Sequence, residues 1–333
     1  MTLPRSELVD LNQTSYYHCM TRCVRRTYLC GVDQQTGQDF SHRKAWLQER
    51  ILYLSTIFAI KICAFAIMSN HYHIVLYVNE SQANAWSQDE IYSRWKALFP
   101  KNAQMHKELP ESRFLEKIAQ WRENLMSISK FMSCLNEPIA RYANAEDNCT
   151  GRFWEGRFKS QAILDEGALL ATMVYVDLNP IRSKMAETPE TSEFTSIYER
   201  IKDIAKSKAK NNKIDIDKAR QPSKLMRFSN ARNCDNENEP CIDFSLKDYL
   251  ELVDDTGRVI KENKKGAISN KFSPILMRLN LNPSHWHDLI KGLEHGFYYA
   301  IGSVVSLQSF SAKYSKRNPK GVKAAKHSYL KSA

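Results

Sequence analysis

His71 and His73 flank Tyr72 at the start of an apolar run, residues 72–78. On a β-strand, side chains at i and i+2 leave the same face roughly 7 Å apart, so two imidazoles at this spacing can converge on one cation while Tyr72 points to the opposite face. The same spacing also occurs where two rings only pack against their neighbours. A second pair, Tyr175 and Asn179, lies four residues apart near the end of an apolar stretch, and at helical spacing both can point at one spot. Pro180 disfavours helical geometry at Asn179 and frees that side chain to turn towards a site. Two histidines on one face of a buried sheet need partners, and a metal ion supplies one. Ordinary core packing of Tyr175 beside Met173, Val174 and Leu178 is the bland alternative. The eight cysteines are scattered, and Cys19 and Cys23, four apart on one expected strand, sit roughly 13 Å from each other, too far to share zinc. They read as reduced, mostly buried thiols.

The elements that must position these residues follow from periodicity. Residues 16–24 are aromatic and β-prone, a first strand; residues 41–58 carry apolar side chains at helical spacing. Two apolar runs, 62–68 and 72–78, are separated by Ser69-Asn70 and read as a hairpin inside a sheet. A polar insertion at 79–126 is expected as helical pieces, followed by a helix over 127–145 and a glycine-punctuated aromatic and basic segment, 150–159, that is a strand or a loop. A helix over 165–178 starts at Asp165 as N-cap and ends at Pro180. The expected fold class is α+β, a central antiparallel sheet with helices mainly on one face and a mostly helical C-terminal extension. The expected organisation is a domain at 1–190, a basic linker at 191–240 with a clear loop at 233–240, a small helical domain at 241–310 and a basic disordered tail at 311–333.

Charge and hydropathy narrow the function classes. The net charge is +11, and it is unevenly placed: residues 1–190 carry 22 Lys+Arg against 21 Asp+Glu, whereas residues 191–333 carry 26 against 16. No acidic residue follows Glu294. Such asymmetry suits a polyanion binder, or a tail that only confers solubility. The most apolar stretch, 57–68, is too short to span a bilayer and is interrupted by Lys61, and the N-terminus lacks a signal-peptide core, so the expectation is a cytoplasmic protein.

Four segments, in order, resemble the single-tyrosine HUH endonucleases, including insertion-sequence transposases and the REP-associated tyrosine transposases. They are Tyr17-His18-Cys19-Met20-Thr21-Arg22, Met68-Ser69-Asn70-His71-Tyr72-His73, residues 151–160 (GRFWEGRFKS), and Tyr175 to Arg182 with its Asn179-Pro180 pair. The resemblance covers a little over half the chain. The insertion at 79–126 is longer than the family pattern, and Tyr72 stands where an aliphatic residue is usual.

The resemblance implies a ferredoxin-like HUH core, with His71, His73 and Asn179 holding Mg²⁺ or Mn²⁺ and Tyr175 as nucleophile. The implied activity is that of a transposase: cleavage and rejoining of single-stranded, hairpin-flanked DNA through a covalent 5′-phosphotyrosine. Arg22, Arg152, Arg157 and Lys159 are candidates for phosphate contacts, and Phe153, Trp154 and Phe158 for stacking on unpaired bases or for simple packing. A homodimer and association with the nucleoid through DNA are further implications. The alternative is a catalytically silent, transposase-derived DNA-binding regulator on the same scaffold.

Overall fold

A computed structural model describes residues 8–24, 30–33, 37–210, 216, 219–229, 239–261, 271–312 and 320–330. The sheet is built from β1 (Tyr16–Arg22), β2 (Ile60–Ile67), β3 (His71–Val78), β4 (Lys159–Ile163) and the short β5 (Ala300–Ile301), in the order β2-β3-β1-β4-β5. Each pairing among β1 to β4 is antiparallel, and β5 pairs parallel with β4, so the sheet is mixed rather than antiparallel throughout. β2 and β3 form the expected hairpin, closed by the Met68 amide donating to the His71 carbonyl at 2.8 Å. Register sorts the side chains. His73 faces Met20, and His18 lies between Val75 and Gln161, all on one face; Tyr72 faces Thr21 and Ile67 on the other.

Helices cover both faces, not mainly one. Over the Tyr72 face lie α1 (Arg43–Ile57), a 15-residue helix burying Leu47, Ile51 and Leu54, and, after the insertion, the helix Ile128–Glu146. The insertion itself is α2 (Glu80–Ala85), α3 (Gln88–Leu98), α4 (Pro100–Lys107) and α5 (Glu111–Met126), whose own apolar centre is the stacked pair Trp95 and Trp121, ring centroids 5.4 Å apart. Ile128–Glu146 is therefore α6, and its Asn136 accepts a hydrogen bond from the Tyr72 hydroxyl. The opposite face is covered by α7 (Glu166–Asp177), which is buried at every position from Gly167 to Asp177 and mostly apolar there, as a helix sandwiched between a sheet and further helices must be. Asp165 caps it by accepting from the Ala168 amide at 2.8 Å. Pro180 does not end the helical path: after a break at Leu178 the chain restarts as α8 (Asn179–Arg182), because proline in a first turn forfeits no intrahelical hydrogen bond.

The stretch expected as a linker does structural work. α9 (Ser196–Lys210) and residues 219–229 guard the outer edge of β2: Ser196 Oγ accepts from the Phe65 amide, the Ile67 amide donates to Phe194 O, and the Met226 amide donates to Ile62 O. Most of the expected loop at 233–240 lies outside the described residues. Beyond it come α10 (Leu246–Lys261), α11 (Ser273–Arg278), α12 (Trp286–Gly296), α13 (Val304–Ala312) and α14 (Val322–Ser328). α12 packs on α7, and the C-terminal region comes close enough that a Cβ at Gly167 would lie 2.7 Å from the Leu279 carbonyl. Within the tail expected to be disordered, α14 is a helix followed by Tyr329, whose hydroxyl donates to Asp165, the cap of α7; residues 313–319 and 331–333 lie outside the described residues. Five of the seven described cysteines are buried, as expected. No helix among the described residues is long and apolar enough to cross a membrane.

Candidate active site

Three histidines and a tyrosine meet between the sheet and α7. His73 is fully buried, its ring 5.0 Å from His71, 5.1 Å from His18 and 5.6 Å from Tyr175. The sheet face that carries His73 is thus closed over by α7. The hydrogen-bond network fixes the tautomers. The Gln161 amide nitrogen donates to Phe297 O at 3.1 Å, which leaves Gln161 Oε1 to accept from His18 Nδ1 at 2.8 Å. His18 Nε2 is then a lone pair and accepts from His73 Nδ1 at 2.9 Å. His73 Nε2 must therefore be a lone pair as well, and it is buried with no hydrogen-bond partner. Burial holds both His18 and His73 below the ordinary histidine range, with His18, His71, Arg182 and Arg22 lowering His73 further. His71 repeats the pattern at the strand end: Nδ1 lies 2.5 Å from Asn70 Oδ1, which leaves Nε2 as a lone pair, and burial with nearby Arg22 pushes its pKa down to about 4.

The Tyr175 hydroxyl donates to Glu294 Oε2 at 3.0 Å, and the Arg182 guanidinium lies 4.5 Å from the centre of its ring. Glu294 projects from α12, and its other oxygen is 3.9 Å from Arg22. Burial, then the Glu294 charge, raise the Tyr175 phenol to about 12 despite Arg182. Burial also pushes the Glu294 carboxyl up, but the hydrogen bond from Tyr175 and the charges of His295, His71 and Arg22 outweigh it and hold the group below its ordinary value. The resting pair is thus a protonated phenol on an ionised carboxylate.

Asn179 is buried at the first turn of α8, and its amide nitrogen has no hydrogen-bond partner. Two neutral imidazoles with lone pairs free, one of them buried and unpartnered, form a donor set that fits a divalent cation. An unpaired buried lone pair costs roughly 1–3 kcal/mol, a penalty that a ligand would remove. The unpartnered atom of Asn179 is a hydrogen-bond donor rather than a metal ligand, so its orphaned nitrogen does not itself extend this donor set.

The candidate DNA contacts divide in two. Arg22 belongs to the cluster through Glu294. Arg157 and Lys159 are exposed and line an open groove of about 550 Å³ together with His18, Met20, Glu294 and Tyr298. Arg152 is exposed on the loop before β4 and forms no ion pair among the described residues. Trp154 lies on the other side of the sheet: its ring packs edge-on against Tyr72 at 5.9 Å and its indole nitrogen donates to Asn136 O at 2.9 Å. Phe153 and Phe158 are buried, which is the packing alternative for those two rings.

Sequence reasoning assigned no role to His18, Arg182 or Glu294. His18 and Arg182 stand inside the quoted segments, and His18 could have been found from its place opposite the histidine strand. Glu294 could not, since only the packing of α12 on α7 brings it across 119 residues to Tyr175.

No protein-family model matches the chain, and no curated protein matches it. One solved structure is similar, described as a REP-associated tyrosine transposase bound to a REP hairpin. It is 12% identical, with a TM-score of 0.34 over 66% of this chain and 92% of that one. So slight a likeness carries no argument about this chain.

Proposed function

We propose that the chain is a divalent-metal-dependent tyrosine DNA endonuclease and strand transferase, transposase-like, acting on single-stranded DNA next to hairpins. The observation that carries this reading is the buried, unpartnered Nε2 lone pair of His73 beside the hydroxyl-bearing ring of Tyr175. The strand order β2-β3-β1-β4 with its antiparallel pairings supports a ferredoxin-like HUH core. In this reading His71, His73 and Asn179 hold Mg²⁺ or Mn²⁺. When bound, the cation supplies charge stabilisation at the oxygens of the scissile phosphate and at the departing 3′-oxygen.

The chain's own residues do the rest. His18 holds the His73 ring through its Nδ1 and so fixes the tautomer that keeps Nε2 available. Arg22 and Arg182, on two sides of Tyr175 and Glu294, neutralise the incoming phosphodiester. Tyr175 Oη forms a bond to phosphorus, the bond from phosphorus to the 3′-oxygen breaks, the phenol proton passes to Glu294, and the leaving 3′-oxygen takes a proton from water. A phenol near 12 and a carboxylate below its usual range will not exchange a proton at rest, so transfer accompanies bond formation. The phosphotyrosine conserves the phosphodiester energy, and attack by another 3′-hydroxyl rejoins strands. Tyrosine and histidines come together within one chain, so the reaction does not need the homodimer that the family resemblance allows. Arg157 and Lys159 would track the backbone along the groove.

One observation favours a second reading. Glu294 already occupies the Tyr175 hydroxyl and presents negative charge where a phosphate must enter, as suits a silent DNA-binding regulator. Incubating the full chain with a 3′-labelled single-stranded hairpin library and Mg²⁺ or Mn²⁺ separates the two. The enzyme reading predicts a label-bearing covalent adduct that Tyr175→Phe and EDTA abolish; binding without adduct under every metal contradicts it.

A further inference from the structure

His285, Asp288 and His327 meet on the surface far along the chain from the histidine strand. Their nearest ligand atoms all lie within 4.8 Å of one another. His327 Nε2 is 3.3 Å and His285 Nδ1 3.8 Å from the same Asp288 oxygen, Oδ2, and the two imidazole centroids are 3.9 Å apart. Two ligand atoms at about 2.0–2.1 Å from zinc in a tetrahedral shell stand about 3.3 Å apart; the His327–Asp288 distance already matches this and the His285–Asp288 distance is somewhat longer.

The backbone holds the three together. His285 immediately precedes α12 and Asp288 sits in its first turn, while His327 is the penultimate residue of α14. The chain beside them is laced to the end of α14: the Asn282 amide donates to Ser328 O at 2.8 Å, Leu281 and Tyr329 form a bridge, and the Leu330 amide donates to Asn280 O at 2.9 Å. That lacing brings both histidines to one carboxylate, where their rings crowd each other. The donors are mixed imidazole and carboxylate, which selects zinc and its transition-metal neighbours over Mg²⁺ or Ca²⁺. All three side chains are partly exposed, 36%, 65% and 52%, so an ion can enter from solvent and complete its shell with water.

We propose that His285, Asp288 and His327 form a zinc-class site, separate from the His71 and His73 cluster, that staples the C-terminal helix α14 to α12. Among the described His, Cys, Asp and Glu side chains, this is the trio that gathers its ligand atoms this closely. The staple lies at the start of α12, and Glu294 stands six residues further along, about 9 Å down the helix axis, so the ion anchors the helix that presents Glu294 to Tyr175.

The test is zinc binding to the full chain in metal-free buffer, by calorimetry and by metal content after desalting, for wild type, His327→Ala, His327→Gln and Asp288→Asn. Any zinc taken by the His71 and His73 cluster should be common to all four proteins, and wild type should hold one further zinc that each variant binds at least tenfold more weakly, since even a residue that only supports a metal ligand alters affinity by about that factor. Zinc should raise the unfolding temperature of wild type more than that of any variant, and the X-ray absorption difference between wild type and His327→Ala should show a nitrogen and oxygen shell without sulfur. Circular dichroism of the metal-free variants checks that they fold; if His327→Ala does not, His327→Gln and Asp288→Asn decide. Equal zinc binding by wild type and the folded variants, or no zinc bound by wild type in either measurement, overturns the proposal.

Discussion

Helix α7 carries two tyrosine–carboxylate pairs two residues apart, and they are opposites. On one side Asp177 accepts from Tyr249 and Ser196 hydroxyls, both at 2.5 Å, and from the Ile197 amide at 3.0 Å; it is fully buried, with Arg200 nearby. Burial raises its pKa to about 6 in spite of those donors. On the other side Tyr175 donates to Glu294, which keeps 35% of its side chain exposed and whose pKa is lowered. Around Asp177 three donors converge on the carboxylate in the fully buried interior, although Arg200 Nε and Nη1 beside it are buried without partners. Around Glu294 stand two arginines, a buried imidazole lone pair without a partner and a groove open to solvent. The same chemical pair is a bolt in one place and a loaded site in the other, and what separates them is access to solvent together with the unpartnered imidazole lone pair beside the tyrosine.

Substitutions sharpen that contrast. The largest effect is expected from Glu294→Gln, which keeps the shape but removes the proton acceptor: adduct formation falls about 10²- to 10⁴-fold, with thermal stability nearly unchanged because the side chain is partly exposed. Adduct formation at the wild-type rate would remove Glu294 from the chemistry. At the sealed pair, Tyr249→Phe leaves Asp177 Oδ2 short of its donor in the interior, and unfolding in urea should show a loss of about 1–3 kcal/mol while adduct formation by the folded fraction is unchanged. If stability holds and activity falls instead, the two pairs are not separable.

The smallest effect is a slope. A carboxyl whose folded pKa is raised favours the folded state when protonated, so its contribution is fully present below about pH 3.8 and is lost as pH rises through about 6. Asp177→Asn should flatten the fall in stability across that window by at most about 1.4 kcal/mol per pH unit. A variant curve parallel to wild type would show that Asp177 stays ionised in the fold.

The core of the site was legible where local periodicity decides geometry. Alternation over residues 71–78 put both histidines on one face and Tyr72 on the other, and helical spacing with Asp165 as cap placed Tyr175 on α7. What escaped depends on contacts between distant segments. His18 becomes a relay only through the register that sets it between Val75 and Gln161. Glu294 enters only because α12 docks on α7. Trp154 was read by its basic, glycine-flanked neighbourhood, but its surroundings are set by the bridge from Cys23 to Trp154 and by Asn136 of α6, which hold it on the Tyr72 face. The coverage of both faces likewise follows from α6 and α7 docking on opposite sides, which no pattern within either helix specifies.

The most direct test of the account is mass spectrometry of the covalent species after nuclease trimming, mapping which residue bears the nucleotide. The account predicts a deoxynucleoside 5′-phosphate on the peptide containing Tyr175. The nucleotide on any other residue, with the Tyr175 peptide unmodified, would contradict it.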